Sequence, residues 1–233
     1  MPGPVALVAD PEVSRHQVDV DRALLAAVGR RRPRVVILPT AAGRDEPAFL
    51  RATAVAHARF HPLGAEVETV AVRTRDDAHD PRHVQAVGEA DLVYLAPGSA
   101  SQLVEILAAS PVLAAIRDVH ARGSTVASCT SSSAGLGDRM LRIGPRLGLP
   151  VQWRVALALI PAVVVIPAYD ERPEPLRALP ALFAPRGTSL LGLDHGASVV
   201  GIDGAWQVEG RGRVTVWRGR RRERHRPGEA FRL

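Results

Sequence analysis

The sequence predicts an α/β fold, in which a doubly wound, mostly parallel sheet is flanked by helices and followed by a C-terminal β-meander. Short apolar runs rich in β-branched residues alternate with segments of helical periodicity, which is the pattern of βαβ units. From residue 190 onward, short strands instead follow one another across Gly and Asp-Gly turns. The chain has 233 residues, of which 46% are hydrophobic, enough for one large domain with a filled core. We therefore expect one domain over residues 1–217 and an Arg-rich tail over residues 218–233.

The α/β part divides into strands and helices in a regular order. The expected strands cover residues 4–9, 34–38, 67–72, 91–95, 124–128 and 163–166. The expected helices cover residues 17–28, 47–60, 81–89 and 111–121, with another through Leu103 and Leu107. The first helix is followed by Gly29, and glycine readily adopts the left-handed conformation in which many helices end. A further helix, containing Leu136, Met140 and Leu141, is expected after the strand at 124–128.

The C-terminal part is expected to hold four short strands, at residues 190–193, 197–202, 205–208 and 214–217. Asp203-Gly204 separates the second strand from the third. This dipeptide favours a tight β-hairpin turn because both of its residue types tolerate positive φ. We expect these strands to form the meander at the edge of the sheet.

Composition narrows the classes of function. The single cysteine, Cys129, excludes an internal disulfide and a cysteine metal cluster, so we expect no metal and no other cofactor, and a cytoplasmic location. No apolar run reaches the roughly 18 residues of a membrane span, so we expect no membrane partner. All 30 basic residues are arginines and the net charge is +6, which we interpret as coding bias. A nucleic-acid-binding module would rest on arginine content alone and would require a steep salt dependence of binding.

Polar and glycine-containing segments follow four of the predicted strands. Ligands bind at the carboxyl ends of the strands in open parallel sheets. We expect these segments to meet there and to form a pocket for a small molecule or peptide. They are Ala9-Asp10-Pro11-Glu12, Ala96-Pro97-Gly98-Ser99, residues 128–135 and Pro167-Ala168-Tyr169-Asp170.

Residues 128–135 read Ser-Cys-Thr-Ser-Ser-Ser-Ala-Gly, between a predicted strand and a predicted helix. A tight turn in that position lifts one side chain above the sheet, as in a nucleophile elbow. The free N–H groups of the following helix would face the same point and could stabilise an oxyanion. The alternative is a serine-rich loop whose hydroxyls cap the helix and carry no chemistry.

The order and spacing of several segments resemble one family. These are Leu38-Pro39-Thr40-Ala41, residues 91–95 with Gln102-Leu103, residues 126–129 with 136–140, residues 163–167 with Asp170, and residues 191–194. Together they resemble the dipeptidase E and cyanophycinase family of serine peptidases, over roughly residues 4–217. The resemblance implies a class I glutamine-amidotransferase-like fold and a serine nucleophile at the elbow.

The resemblance also shows departures from the family's catalytic residues. An alignment without gaps puts Thr130 at the nucleophile position, Ser131 after it, and Ser132 where the family has glycine. A second register matches residues 133–135 to the family's Ser-Ala-Gly and makes Ser133 the nucleophile, at the expense of an insertion and a deletion. Ala168 stands where the family has its histidine base, and alanine cannot accept a proton.

The family's oxyanion turn and acidic pair also differ here. Pro97 replaces one residue of a Gly-Gly turn and has no N–H to donate. His195 follows Asp194 where the family has an Asp-Glu pair, so His195 is a candidate displaced base. Cys129 is an alternative nucleophile, although a lone cysteine is more often a small buried residue.

The alternative to the expected absence of a metal is a site formed by Asp10, Glu12, Asp170 and His195. Their side chains could converge at the strand ends, although their spacing matches no specific metal motif. We interpret the chain as a homologue of these peptidases without ordinary peptidase activity. The alternative is an active hydrolase that uses a rearranged site at the same elbow. A homodimer also remains open.

Overall fold

The computed structural model describes residues 1–9, 15–142 and 152–233, and its centre is an eight-stranded sheet. The strands are β1 (Val5–Val8), β2 (Arg34–Leu38), β3 (Glu66–Thr69), β4 (Leu92–Leu95), β5 (Thr125–Cys129), β6 (Arg139–Arg142), β7 (Gln152–Val155), β8 (Val163–Ile166), β9 (Ser189–Leu193), β10 (Ala197–Ile202), β11 (Ala205–Gly210), β12 (Val214–Arg218), β13 (Arg221–His225) and β14 (Ala230–Arg232). The helices are α1 (Arg15–Ala27), α2 (Glu46–Phe60), α3 (Pro81–Gly88), α4 (Ala100–Leu107), α5 (Pro111–Ala121), α6 (Glu174–Arg177) and α7 (Leu179–Leu182).

The central sheet runs in the order β14-β11-β10-β1-β5-β4-β2-β3. The five strands from β1 to β3 in this order are parallel, and β10 joins β1 antiparallel. The carboxyl ends of β1, β4 and β5 therefore lie side by side. The predicted mostly parallel α/β sheet is confirmed.

Alternate side chains of the central strands enter two separate cores. Val5 and Leu7 of β1 pack into the core shared with α3, α4 and α5, whereas Ala6 and Val8 pack into the core shared with α1 and α2. This alternation follows from the period of two in a strand. Helices therefore cover both faces of the sheet, as a doubly wound fold requires.

Local sequence explains where most of these helices begin. The side chain of an Asp or Ser accepts a hydrogen bond from a backbone N–H in the first turn, and proline occupies the first positions of three of the four helices. The capping residues are Asp45, Asp80, Ser99 and Ser110. In the part of the chain described, no single helix has the length and apolar content of a membrane span; α4 and α5 reach them only together, across a 98° bend.

The predicted C-terminal strands are confirmed, and the structure divides them between two sheets. β10 and β11 form a hairpin in the central sheet through Asp203 and Gly204, whose φ angles are 48° and 75°. β9 and β12 pair in a second sheet of order β13-β12-β9-β8. Leu191 and Val216 of that sheet share a core with Val199. A meander along one edge would have left this apolar face of β9 and β12 exposed.

The expected Arg-rich tail is built into the fold. β13 pairs with β12, and β14 pairs with β11. Phe231 of β14 is buried and stacks on Trp206, with 6.5 Å between the ring centres. The domain therefore extends beyond Trp217, because β13 and β14 are each hydrogen-bonded into one of the two sheets.

The helix expected through Leu136, Met140 and Leu141 is absent from this described segment. A 3₁₀ helix, Thr130–Gly135, is followed by strand β6, which pairs with β7. Two glycines near Leu136 disfavour a longer helix. Gly137 also lies so close to the Val163 carbonyl that any side chain would clash.

A buried ion pair joins the two helices on one face of the sheet. Arg59 of α2 donates from Nε and Nη2 to the carboxylate oxygens of Asp21 of α1, at 2.5 and 2.7 Å. Its Nη1 donates to the Tyr94 hydroxyl at 3.2 Å. Arg59 and Asp21 are 3% and 0% exposed, so each charge depends on the other for compensation.

We expect Arg59→Met to lower the free energy of unfolding by about 3–5 kcal/mol, because Asp21 would keep its hydrogen bond from Gln17 Nε2 but would remain buried without a countercharge. Adding Asp21→Leu should recover most of that loss. The control is Arg22→Met, which breaks an exposed pair with Asp19 at 2.7 Å and should cost less than about 1 kcal/mol. Urea unfolding measures all four proteins. A double variant as unstable as Arg59→Met alone would contradict this account.

Candidate functional site

A cleft of about 520 Å³ lies at the carboxyl ends of β5 and β8. It is lined by Ala9, Ala100, Thr130, Ser131, Ala134, Leu141, Val165, Ile166, Pro167, Ala168, Glu171, Arg172 and His195. Four residues selected from the sequence thus meet there: Thr130, Ser131, Ala168 and His195. Asp10 and Glu12 lie outside the described residues.

Thr130 occupies a sharp turn immediately after β5. Its φ is +50°, in the left-handed region that a β-branched residue rarely adopts. The side chain is half-buried, and its hydroxyl has no hydrogen-bond partner among the described residues. Backbone strain of this kind persists only where the surroundings enforce it, and it is concentrated at functional sites.

Ser132 and Ser133 point away from the cleft into the protein. Both are fully buried; the Ser133 hydroxyl lies 2.8 Å from that of Ser128, and Ser132 donates to the Cys129 carbonyl at 2.6 Å. Ser133 is therefore poorly placed to attack a ligand in the cleft. Ser132, which stands where the family has glycine, is accommodated in the turn, because the positive φ falls at Thr130 and the Ser132 hydroxyl donates to backbone carbonyls.

Cys129 faces the core on the α1 and α2 side of the sheet. It is 1% exposed and interacts with Tyr94 and Arg59. Burial raises the pKa of its thiol despite the neighbouring Arg59 guanidinium. A buried thiol with a raised pKa is a poor nucleophile, so the structure favours the structural role for Cys129.

Ala168 lines the cleft with a φ of +49°, and its methyl group offers no proton acceptor. The next residue, Tyr169, is buried and turns into the second sheet. Its hydroxyl donates to the Arg177 carbonyl at 2.9 Å and accepts from Trp217 Nε1 at 2.8 Å. Asp170 accepts from the backbone N–H of His195 at 2.9 Å. Tyr169 and Asp170 therefore do not line the cleft; they support the backbone of the residues that do.

Pro97, Gly98 and Ser99 form a turn beside the cleft rather than its lining. Gly98 has a φ of +154°, and a Cβ there would lie 2.6 Å from the Ala41 carbonyl carbon. Glycine is thus required by close backbone approach. Ser99 caps α4, with its hydroxyl accepting from Gln102 N at 3.3 Å. Pro97 supplies no N–H to this turn.

His195 enters the cleft from the turn after β9. Its Nδ1 lies 3.4 Å from Oε1 of Glu171, and both side chains are exposed. Burial, and then the negative charge of Asp170, raises the pKa of Asp194. Within residues 1–9, 15–142 and 152–233, no three His, Cys, Asp or Glu side chains are grouped to hold a metal ion.

Arg172 also lines the cleft, and it was not among the residues selected from the sequence. It follows the predicted Pro-Ala-Tyr-Asp segment by two positions, so its place near the strand end was the available signal. It is half-buried, and burial lowers its pKa. None of the ion pairs among the described residues includes Arg172. The adjacent Glu171 is paired with His195 instead. Within the described residues, Arg172 thus lines the cleft without a paired carboxylate.

The mostly parallel sheet, the strained turn at Thr130 and the adjoining cleft define a doubly wound α/β protein with a candidate site at the strand ends. Residues 7–208 match the model of peptidase family S51, and the chain belongs to that family. Cyanophycinases from Nostoc sp. (strain PCC 7120) and Trichormus variabilis are each 27% identical over 220 residues, which cover 91% of this chain and 72% of theirs.

Solved structures support the same assignment of fold. The crystal structure of a peptidase from an acI-B1 Actinobacterium has a TM-score of 0.88 and 25% identity, covering 100% of this chain and 98% of that one. A candidate peptidase E from Listeria monocytogenes EGD-e has a TM-score of 0.59 at 13% identity, over 97% and 99% of the two chains, which shows a shared fold alone. The predicted class I glutamine-amidotransferase-like fold is confirmed.

We expect Thr130→Gly to stabilise the protein by about 1 kcal/mol, because the release of left-handed strain outweighs the added chain entropy of glycine. Ser131→Gly is the matched control. It lies in the same 3₁₀ helix without a positive φ, so it should destabilise slightly. Thermal and urea unfolding give both values. Equal losses in the two variants would show that the turn at Thr130 is unstrained.

Proposed function

We propose that this member of family S51 has lost ordinary serine-peptidase activity and retains the cleft as a binding site for a small molecule or peptide that carries a carboxylate. The observation that supports binding is that Arg172 lines the cleft half-buried, with no ion-pair partner among the described residues. An arginine can hold a carboxylate through two parallel hydrogen bonds. Thr130 and Ser131 add hydroxyl groups to the same cleft.

Partial burial strengthens the case for a charged ligand. A cation removed from water loses hydration, and a partner of opposite charge compensates for that loss. Arg172 has this cost, while no carboxylate of the described chain offsets it. Glu171 also lines the cleft, but it is exposed and faces His195, so it leaves Arg172 uncompensated. A ligand carboxylate would supply the missing charge.

The catalytic groups of the family support the loss of activity. By the resemblance, Thr130 occupies the position of the family's nucleophile and Ala168 that of its histidine base. Pro97 replaces a residue of the turn that donates to the oxyanion. Removal of a base, or of one oxyanion donor, costs on the order of a hundredfold or more in rate. The described residues thus form a pseudoenzyme elbow. We also propose a cytoplasmic location, which suits a single free cysteine.

Binding is tested with the α-amides of N-acetyl-L-aspartate and N-acetyl-L-asparagine, of which only the aspartate probe carries a carboxylate. We expect about tenfold or greater preference for the aspartate probe, since a charge-assisted bidentate contact contributes more than about 1.4 kcal/mol. Arg172→Gln should abolish the preference, and Arg172→Lys should retain part of it. Titration calorimetry at low salt measures each affinity.

The control for this experiment is Arg186→Gln, which removes an exposed arginine outside the cleft. It should leave the preference unchanged. Equal affinity of the wild-type chain for the two probes, or a preference that survives Arg172→Gln, would refute the proposed site.

A second candidate function is a hydrolase with a rearranged site. It is favoured by the position of His195, which lines the same cleft as Thr130 and lies near Glu171. A hydroxyl nucleophile, a histidine base and an orienting carboxylate are the groups of a catalytic triad. Here the hydroxyl would be that of Thr130.

We expect the purified chain to release no product above buffer from aspartyl dipeptides or cyanophycin-like polymers, because the base position holds alanine. An activated aspartyl ester provides the more sensitive assay for the second candidate. Turnover that disappears in both Thr130→Ala and His195→Gln, with Ser133→Ala unaffected, would establish the rearranged hydrolase and overturn our first proposal.

A further inference from the structure

The loop that carries Arg172 is held in place by a second arginine. Arg177 Nε donates to the Arg172 carbonyl at 2.7 Å, and Arg177 Nη2 donates to the Asp170 carbonyl at 2.6 Å. The Arg177 guanidinium also lies 5.9 Å from the centre of the Tyr169 ring. One side chain thus binds the backbone on both sides of Glu171.

Arg177 is in turn fixed by a carboxylate that three arginines share. Its Nη1 donates to Oε2 of Glu174 at 2.7 Å. Oε1 of Glu174 accepts from Arg222 Nη2 at 2.7 Å and from Arg224 Nη2 at 2.9 Å. We call Glu174, Arg177, Arg222 and Arg224 the Glu174 clasp. It connects β13, in the Arg-rich C-terminal segment, to the loop of the cleft.

Charge makes Glu174 the central member of the clasp. Three guanidinium groups converge on a single carboxylate. If Glu174 were neutral, these cations would repel one another. Arg177 would also lose the carboxylate that orients its planar guanidinium group. Arg222 also lies over Trp217, 5.4 Å from the ring centre, and Trp217 donates to Tyr169. The strand therefore supports the loop through two routes.

We propose that the Glu174 clasp is a positioning element that holds Arg172 at the cleft and thereby sets its preference for a carboxylate. This inference rests on the proposed function of Arg172. It gives the arginines of β13 a role in ligand recognition, although none of them lines the cleft. Arg177 acts through the carbonyls of Arg172 and Asp170, so the clasp affects the ligand only indirectly.

The test measures the ratio of affinities for the α-amides of N-acetyl-L-aspartate and N-acetyl-L-asparagine in the full chain. Glu174→Gln should lower this ratio by about three- to tenfold, the range expected for side chains coupled within one network. The matched control is Glu223→Gln. Glu223 lies on β13 beside Arg222 and Arg224 and pairs with Arg218 and Arg221, and none of its ion pairs with described residues reaches the loop that carries Arg172. Its loss should leave the ratio unchanged.

A purely structural role is separated by combining Glu174→Gln with Arg172→Gln. If the clasp acts through Arg172, Glu174→Gln should have no further effect on the ratio in that background. The double variant Arg222→Gln/Arg224→Gln provides a second disruption should Glu174→Gln fold poorly, and it should give the same loss.

Three results would overturn the inference. The first is a ratio that both disruptions of the clasp leave unchanged, and the second is an equal fall in Glu223→Gln; either result leaves the proposed site intact. A wild-type chain that binds the two probes equally overturns the proposed function and the clasp together. The two failures are therefore distinguishable.

Discussion

The central parallel strands are covered on both faces, and this burial determines where polar chemistry can lie. β1, β4 and β5 send alternate side chains into two apolar cores, so polar groups on their faces would lose water without compensation. Arg59 and Asp21 satisfy that condition by pairing with each other. The candidate cleft accordingly lies at the strand ends, where the backbone turns sharply at Thr130.

The central sheet could be predicted well because the signals for it are local in sequence. These signals are the short apolar runs of the strands and the capping residues of the helices between them. Strand 34–38 and helix 111–121 were located to the residue. The helix through Met140 failed for a nonlocal reason, the close approach of Gly137 to Val163. The division of the C-terminal strands into two sheets was likewise hidden, since it depends on which buried faces meet.

The site was predicted in part. Thr130, Ser131, Ala168 and His195 line the cleft, because strand ends on one edge must converge. Ser99 and Cys129 have structural roles that their residue types also suited, as a cap and as a buried thiol. Arg172 escaped notice because the role proposed for it depends on having no paired carboxylate among the described residues, and pairing among distant side chains cannot be derived from spacing. The same holds for Glu174 and the arginines of β13.

The position of β1 has a consequence for how the protein folds. Val5 pairs with Val126 on one side and with Gly201 on the other, so this first strand lies between partners from the middle and the end of the domain. Contacts between residues so distant along the chain close large loops and slow folding. The central sheet is therefore complete only once β1 has joined both β5 and β10. Before β1 pairs with it, the edge of β5 that leads into the Thr130 turn is an unpaired strand edge, which can associate with other chains.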